Sequence, residues 1–135
     1  MRVGIDILDT GRFAGATRER LAKIFSKREL DYFERKGINL DIGIQTDGKN
    51  GAHETVGGVF CAKEAFFKAL GTGVTPSNIL EVELLHDMHG APYYKISPRL
   101  TTQHKFLSTA KITVSISHTK TIAVAVCIIS SFNFG

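Results

Sequence analysis

The stretch from about His53 to Leu70 constrains this chain most, because it holds apolar residues at helical spacing, contains no proline and stops at Gly71-Thr72-Gly73. Val56, Phe60, Phe67 and Leu70 fall on one stripe of that helix and must be buried against a second layer. Both ends of the chain supply material for it. Arg2 to Ile7 alternates, with Val3, Ile5 and Ile7 on one face and Arg2, Gly4 and Asp6 on the other, which predicts a strand buried through its Val/Ile face. Lys111 to Ser117 alternates Ile112, Val114 and Ile116 against Thr113, Ser115 and Ser117, and Thr121 to Ile129 reads as the returning strand. Two further strands, Ile79 to Leu85 and Pro92 to Ile96, flank an Asp87–Gly90 turn. The expected fold is α+β: one compact domain over residues 1–135, with a small, mainly antiparallel sheet packed against the long helix.

Helix signals mark the rest of the chain. Asp9 or Thr10 is suited to cap a helix running to about Phe25. Ser26-Lys27-Arg28-Glu29 has capping-box spacing and opens a second helix, with Gly37 placed to end it. Ser97-Pro98 starts a short helix. Between Gly37 and Thr55 lie four glycines and a short alternation, Ile38 to Ile44, which predicts a long loop with an edge strand.

Composition narrows the classes of function. The most sustained apolar run, Ile122 to Ile129, is far short of the ~20 residues of a membrane span, and the N-terminus has no signal-peptide stretch, so a cytoplasmic protein is expected. Cys61 and Cys127 sit in apolar segments and support neither a disulfide scaffold nor a zinc site. The net charge of +4 is zoned, at +3 over residues 1–38, −4 over 39–94 and +5 over 95–135, which suits an anionic partner. Nucleic acid is the weaker choice of partner and none is expected, since no aromatic-interleaved RNA motif or zinc finger is present.

The chemistry-bearing residues concentrate on the long helix. Glu64 emerges beside the apolar stripe, with Lys63 and Lys68 on either flank, and a carboxylate at such a rim needs a cationic partner. That partner is either Lys68, as an i,i+4 ion pair, or a metal ion. Asp6, on the polar face of the first strand, is a second carboxylate, and two protein carboxylates suffice for Mg²⁺. Gly71-Thr72-Gly73 follows a helix, unlike a phosphate-binding loop, and a helix stop explains Gly71 alone. Ser117 and His118 are strand neighbours pointing to opposite faces, so they are no hydrolytic pair; His118 reads as a ligand donor or a structural histidine. His53, His86, His89 and His104 form no metal-ligand spacing and read as surface residues.

Several segments together resemble the holo-(acyl-carrier-protein) synthase family of phosphopantetheinyl transferases. They are Gly4-Ile5-Asp6-Ile7 followed by Arg12, the block from Phe60 to Gly73 (Phe-Cys-Ala-Lys-Glu-Ala-Phe-Phe-Lys-Ala-Leu-Gly-Thr-Gly), Gly90-Ala91-Pro92, and Val114-Ser115-Ile116-Ser117-His118. Phe25 to Leu30 is similar to the family's second-helix start, so the likeness touches most of the chain outside residues 37–55. Two positions depart from the family pattern: Val59 stands where an Arg is common, and Ala91 where a Lys is usual.

The resemblance implies the 4'-phosphopantetheinyl transferase fold. It also implies transfer of 4'-phosphopantetheine from coenzyme A to a serine of apo acyl carrier protein, for fatty acid biosynthesis, with release of adenosine 3',5'-bisphosphate in a Mg²⁺-dependent reaction. Asp6 and Glu64 match the metal ligands, Glu64 or a water it orients the acceptor of the serine proton, and Lys68 the group facing the leaving phosphate. Lys63, Lys68, Gly71, Gly73, Pro92 and His118 match coenzyme-lining positions, and Arg12 a carrier-protein contact. A homotrimer with active sites between subunits is implied as well. The competing reading is a noncatalytic module that binds coenzyme A or a carrier protein.

Overall fold

In chain order the elements are β1 (Arg2–Asp9), α1 (Arg18–Leu21), α2 (Lys27–Arg35), α3 (Ala52–Leu70), β2 (Val82–His86), β3 (Pro92–Ile96), α4 (Pro98–Gln103), β4 (Ala110–His118) and β5 (Ile122–Ser131). The computed structural model describes residues 1–131. Three strands form an antiparallel sheet in the order β1-β5-β4, and β2 and β3 pair as a separate antiparallel hairpin. α3 lies across the inner face of the larger sheet, with α2 and the hairpin closing around its other side. Among the described residues no helix is long and apolar enough to cross a membrane.

The inner face of that sheet is built from Gly4 and Leu8 of β1, Ala123, Ala125, Cys127 and Ile129 of β5, and Ile112, Val114 and Ile116 of β4. Here β1 corrects the expectation from alternation: Val3, Ile5 and Ile7 point outward and are 58%, 61% and 67% exposed. The cause is Gly4. A Cβ at this position would lie 2.0 Å from the Ala65 carbonyl oxygen and 2.4 Å from the Ala69 nitrogen, so β1 meets α3 through its sparsest face and the two backbones nearly touch. The larger apolar face of the strand is left uncovered within one chain.

Other elements follow their local chemistry. The capping box of α2 is formed, with Ser26 Oγ accepting from the Glu29 amide at 3.3 Å and Glu29 Oε1 accepting from the Ser26 amide at 2.9 Å. α3 ends at Gly71 in a left-handed conformation (φ 89°), and Gly73 is left-handed too (φ 68°), so both glycines serve the turn that leaves the helix. The expected helix from residue 9 to Phe25 is instead a 3-10 turn at Thr10–Phe13, capped by Asp9, followed after Gly15 by the short α1. Residues 37–55 form no edge strand. Ile38, Leu40 and Ile44 are core residues of an irregular segment, whose alternation reflects burial without pairing.

A cluster of edge-to-face rings ties these parts together. Phe13 packs on Phe60 (centroids 5.1 Å apart), and Phe25 packs on both Phe33 (5.0 Å) and Phe60 (6.3 Å), which ties the 3-10 turn and α2 to α3. The turn delivers Arg12 to the same place, its guanidinium carbon 4.7 Å from the Phe60 ring centre.

Candidate active site

Four sequence-predicted residues meet on the β1 side of α3. Asp6 points inward from β1, opposite Ala125, and accepts a hydrogen bond from Lys68 Nζ at 2.8 Å. Glu64 stands one helical turn before Lys68 and shares the field of Asp6, Arg12 and Lys68. Burial and the Asp6 carboxylate push the Glu64 carboxyl above its ordinary range, against the pull of Arg12 and Lys68. The hydrogen bond to Asp6 raises the Lys68 ammonium, so the lysine stays charged at neutral pH. Lys68 therefore takes Asp6 as its hydrogen-bond partner, and no i,i+4 ion pair with Glu64 forms. Cys61 donates its thiol to the Asp6 carbonyl oxygen at 3.1 Å; burial, with Asp6 nearby, pushes the thiol up to about 12, so it is no nucleophile here.

Two acidic groups, one ammonium group and an arginine at a rim can hold a cation, meet a charged ligand and exchange a proton. The carboxylates supply hard oxygen donors, and one of them already holds an ammonium cation. Among the described residues no group of three or more acids, thiols or imidazoles gathers here, so a cation held by these two carboxylates would have to take its other ligands from substrate and water.

A second group of predicted residues gathers elsewhere. His118 and Pro92 line a cavity of about 320 Å³ with Val59, Tyr32, Lys36 and His86. Val59 and Glu64 are separated by about 140° round the helix, so α3 stands between this cavity and the carboxylates. Gly71 and Gly73 lie at a third place, exposed just beyond the last turn of α3.

Lys63 is a correction. Expected at the rim as a coenzyme contact, it is fully buried, with Nζ 2.7 Å from Glu29 Oε1 and 2.8 Å from the Ile24 carbonyl oxygen. Glu29 completes the pair by accepting from the amides of Ser26 and Leu84, both at 2.9 Å, so one carboxylate links α2, α3 and β2. Burial pushes the Glu29 carboxyl up and the Lys63 ammonium down, against their mutual attraction. The helical wheel missed this because α3 is covered on nearly every side.

His86 is a second correction. It is half-buried and stacks on Tyr32 with ring centres 4.0 Å apart and planes 12° from parallel. Its Nδ1 is buried without a hydrogen-bond partner. Nothing in the sequence around His86 signals this, since the pairing joins α2 to a distant hairpin.

Residues 2–127 match the family model described as the 4'-phosphopantetheinyl transferase superfamily. The chain belongs to this family. It is 33% identical over 130 residues to the holo-[acyl-carrier-protein] synthase of Clostridium tetani, covering 94% of this chain and 93% of the relative. To the same-named protein of Caldicellulosiruptor bescii it is 36% identical over 128 residues, covering 93% and 94%. Its structure is similar to that of a holo-(acyl-carrier-protein) synthase from Bacillus anthracis in complex with CoA (3',5'-ADP), with a TM-score of 0.68, 28% identity and coverage of 97% of this chain and 96% of that one.

Proposed function

We propose that this chain is a magnesium-dependent holo-(acyl-carrier-protein) synthase of the cytoplasm, transferring 4'-phosphopantetheine from coenzyme A to a serine of apo acyl carrier protein for fatty acid biosynthesis. The observation that carries this reading is the meeting of Asp6, Glu64 and Lys68 on one side of α3, in a chain whose relatives bear that name. The serine oxygen forms a bond to the β-phosphorus of the pyrophosphate, the bond from that phosphorus to the bridging oxygen breaks, and adenosine 3',5'-bisphosphate departs. Glu64, or a water it orients, would take the serine proton. Lys68 faces the oxygen that gains charge on departure.

Asp6 and Glu64 are the residues that would hold Mg²⁺, which would neutralise pyrophosphate charge that two bare carboxylates repel. Arg12, exposed beside Glu64, is the positive group that an acidic carrier protein meets as its serine approaches. Release of adenosine 3',5'-bisphosphate should require both apo carrier protein and Mg²⁺. Lys68→Met should lower kcat about a hundredfold while KM for coenzyme A stays within about threefold, because the contact strengthens as the leaving group gains charge. An unchanged kcat with a raised KM would move Lys68 to ground-state binding.

A homotrimer with active sites between subunits belongs to the same reading, and two features support it. Val3, Ile5 and Ile7 of β1 and Val124, Val126 and Ile128 of β5 share one outward face, an uncovered apolar surface on a small protein. The carboxylate site and the cavity beside His118 lie on opposite sides of α3, so a substrate spanning both kinds of contact is best met by two copies. Light scattering should report a trimer, and Ile5→Lys should give dissociated chains without activity. A fully active monomer would contradict the shared site.

A further inference from the structure

Thr10 is buried, at 2% exposure, and takes no part in the chemistry above. It stands where β1 passes into the 3-10 turn Thr10–Phe13 that carries Arg12. Its amide donates to the Thr121 carbonyl oxygen at 2.9 Å and its hydroxyl to the Lys120 carbonyl oxygen at 2.5 Å, so one residue grips the β4–β5 turn twice. Behind it runs α3, where a Cβ on Gly57 would lie 3.4 Å from the Thr10 Cα, so Thr10 is packed between helix and turn. The turn itself is braced. Thr119 Oγ1 accepts from the amides of Thr121 (3.3 Å) and Ile122 (3.1 Å), and the Thr119 amide donates to the Ile122 carbonyl oxygen at 2.8 Å. A valine at position 10 would fill the same space without the cost of burying a hydroxyl, so what the threonine adds is the bond to Lys120.

Two exposed cations leave this junction, Arg12 from the 3-10 turn and Lys120 from the tip of the β4–β5 turn. Among the described residues neither makes an ion pair. The nearest acid along the chain, Asp9, is turned to the Gly11 amide at 3.0 Å. We propose that Thr10 is a positioning residue for the meeting with the carrier protein: its hydroxyl holds the Lys120 turn against the Arg12 turn, which makes the two cations one fixed edge for an acidic partner. This rests on the carrier-protein reading above. Charge complementarity favours such a partner, and a spacing fixed in advance spares the cost of ordering two separate turns on binding.

The test separates the two substrates. In steady-state assays Thr10→Val and Lys120→Met should each raise KM for an acidic apo carrier protein about two- to fourfold, while kcat and KM for coenzyme A stay within about 1.5-fold, as expected for losing one exposed charge contact. Thr10→Ser keeps the hydroxyl and should match the unaltered chain. Adding Thr10→Val to Lys120→Met should raise KM no further, since both changes act through the same ammonium. A normal KM for the carrier in Thr10→Val, no rescue by Thr10→Ser, or KM for coenzyme A rising in step would each overturn the role of Thr10 and leave the enzymatic reading standing. Absence of transfer by the unaltered chain would instead overturn the enzymatic reading. Amide exchange would still decide whether the hydroxyl holds the turn: the Thr121 and Ile122 amides should exchange faster in Thr10→Val and not in Thr10→Ser, and equal exchange in all three chains would overturn the latch itself.

Discussion

Asp6→Asn and Glu64→Gln are each expected to cut transfer at least about a thousandfold, or ~4 kcal/mol of transition-state stabilisation, while the thermal transition of the protein stays close to that of the unaltered chain. The two substitutions keep the shape of each side chain and remove its charge. Asp6 needs that charge to hold the Lys68 ammonium at 2.8 Å, and Glu64 needs it to take a proton. Among the described residues no third acid joins these two in a cluster, so neither has a substitute. Steady-state kinetics with saturating carrier protein and coenzyme A would measure the loss. Near-normal turnover in either variant would remove that residue from the chemistry.

Lys63→Met is expected to leave the site chemistry in place and to destabilise the fold by about 3–5 kcal/mol, because it strands the Glu29 carboxylate in a site where both partners are fully buried. Urea unfolding would report the loss as a lower midpoint with little change in slope. Adding Glu29→Gln to Lys63→Met should recover part of it by removing the unpaired charge, the amide oxygen accepting from one of the two backbone amides, Ser26 and Leu84, that the carboxylate serves with separate oxygens. Unchanged stability together with a raised KM for coenzyme A would return Lys63 to the coenzyme site.

The difference between the expected and observed roles of Lys63 marks what the sequence carries and what it does not. Local chemistry was legible: the Ser26–Glu29 capping box, the stop of α3 at Gly71 and the strands ending near His86, Ile96, His118 and Ser131 all follow from neighbouring residues. The resemblance carried by Gly4–Ile7 with Arg12 and by Phe60–Gly73 located Asp6, Arg12, Glu64 and Lys68, and the fold brings these four together. What was not legible depends on the partners of each face. Alternation in β1 assigns Val3, Ile5 and Ile7 to one side, but the side that meets α3 is decided by how closely Gly4 lets two backbones approach. A wheel drawn for α3 finds its most apolar stripe, yet a helix covered by a sheet on one side and by α2 and a hairpin on the other has almost no rim.

The same reasoning explains the loop before α3. Ile38, Leu40, Ile42 and Ile44 are spaced like a strand, but Ile42 is exposed and the other three fill the core from irregular backbone that joins neither sheet. The stack of His86 on Tyr32 is a long-range pairing of the same kind, invisible to spacing because its members come from α2 and the end of β2.

The intact mass of an acidic apo acyl carrier protein after incubation with this chain, coenzyme A and Mg²⁺ tests the central claim most directly. A mass increase equal to one 4'-phosphopantetheine group, absent when a chelator is added and absent with Asp6→Asn, is the predicted result. An unmodified carrier under conditions where the chain binds coenzyme A would contradict it, and would leave a protein that binds the coenzyme without transferring its phosphopantetheine arm.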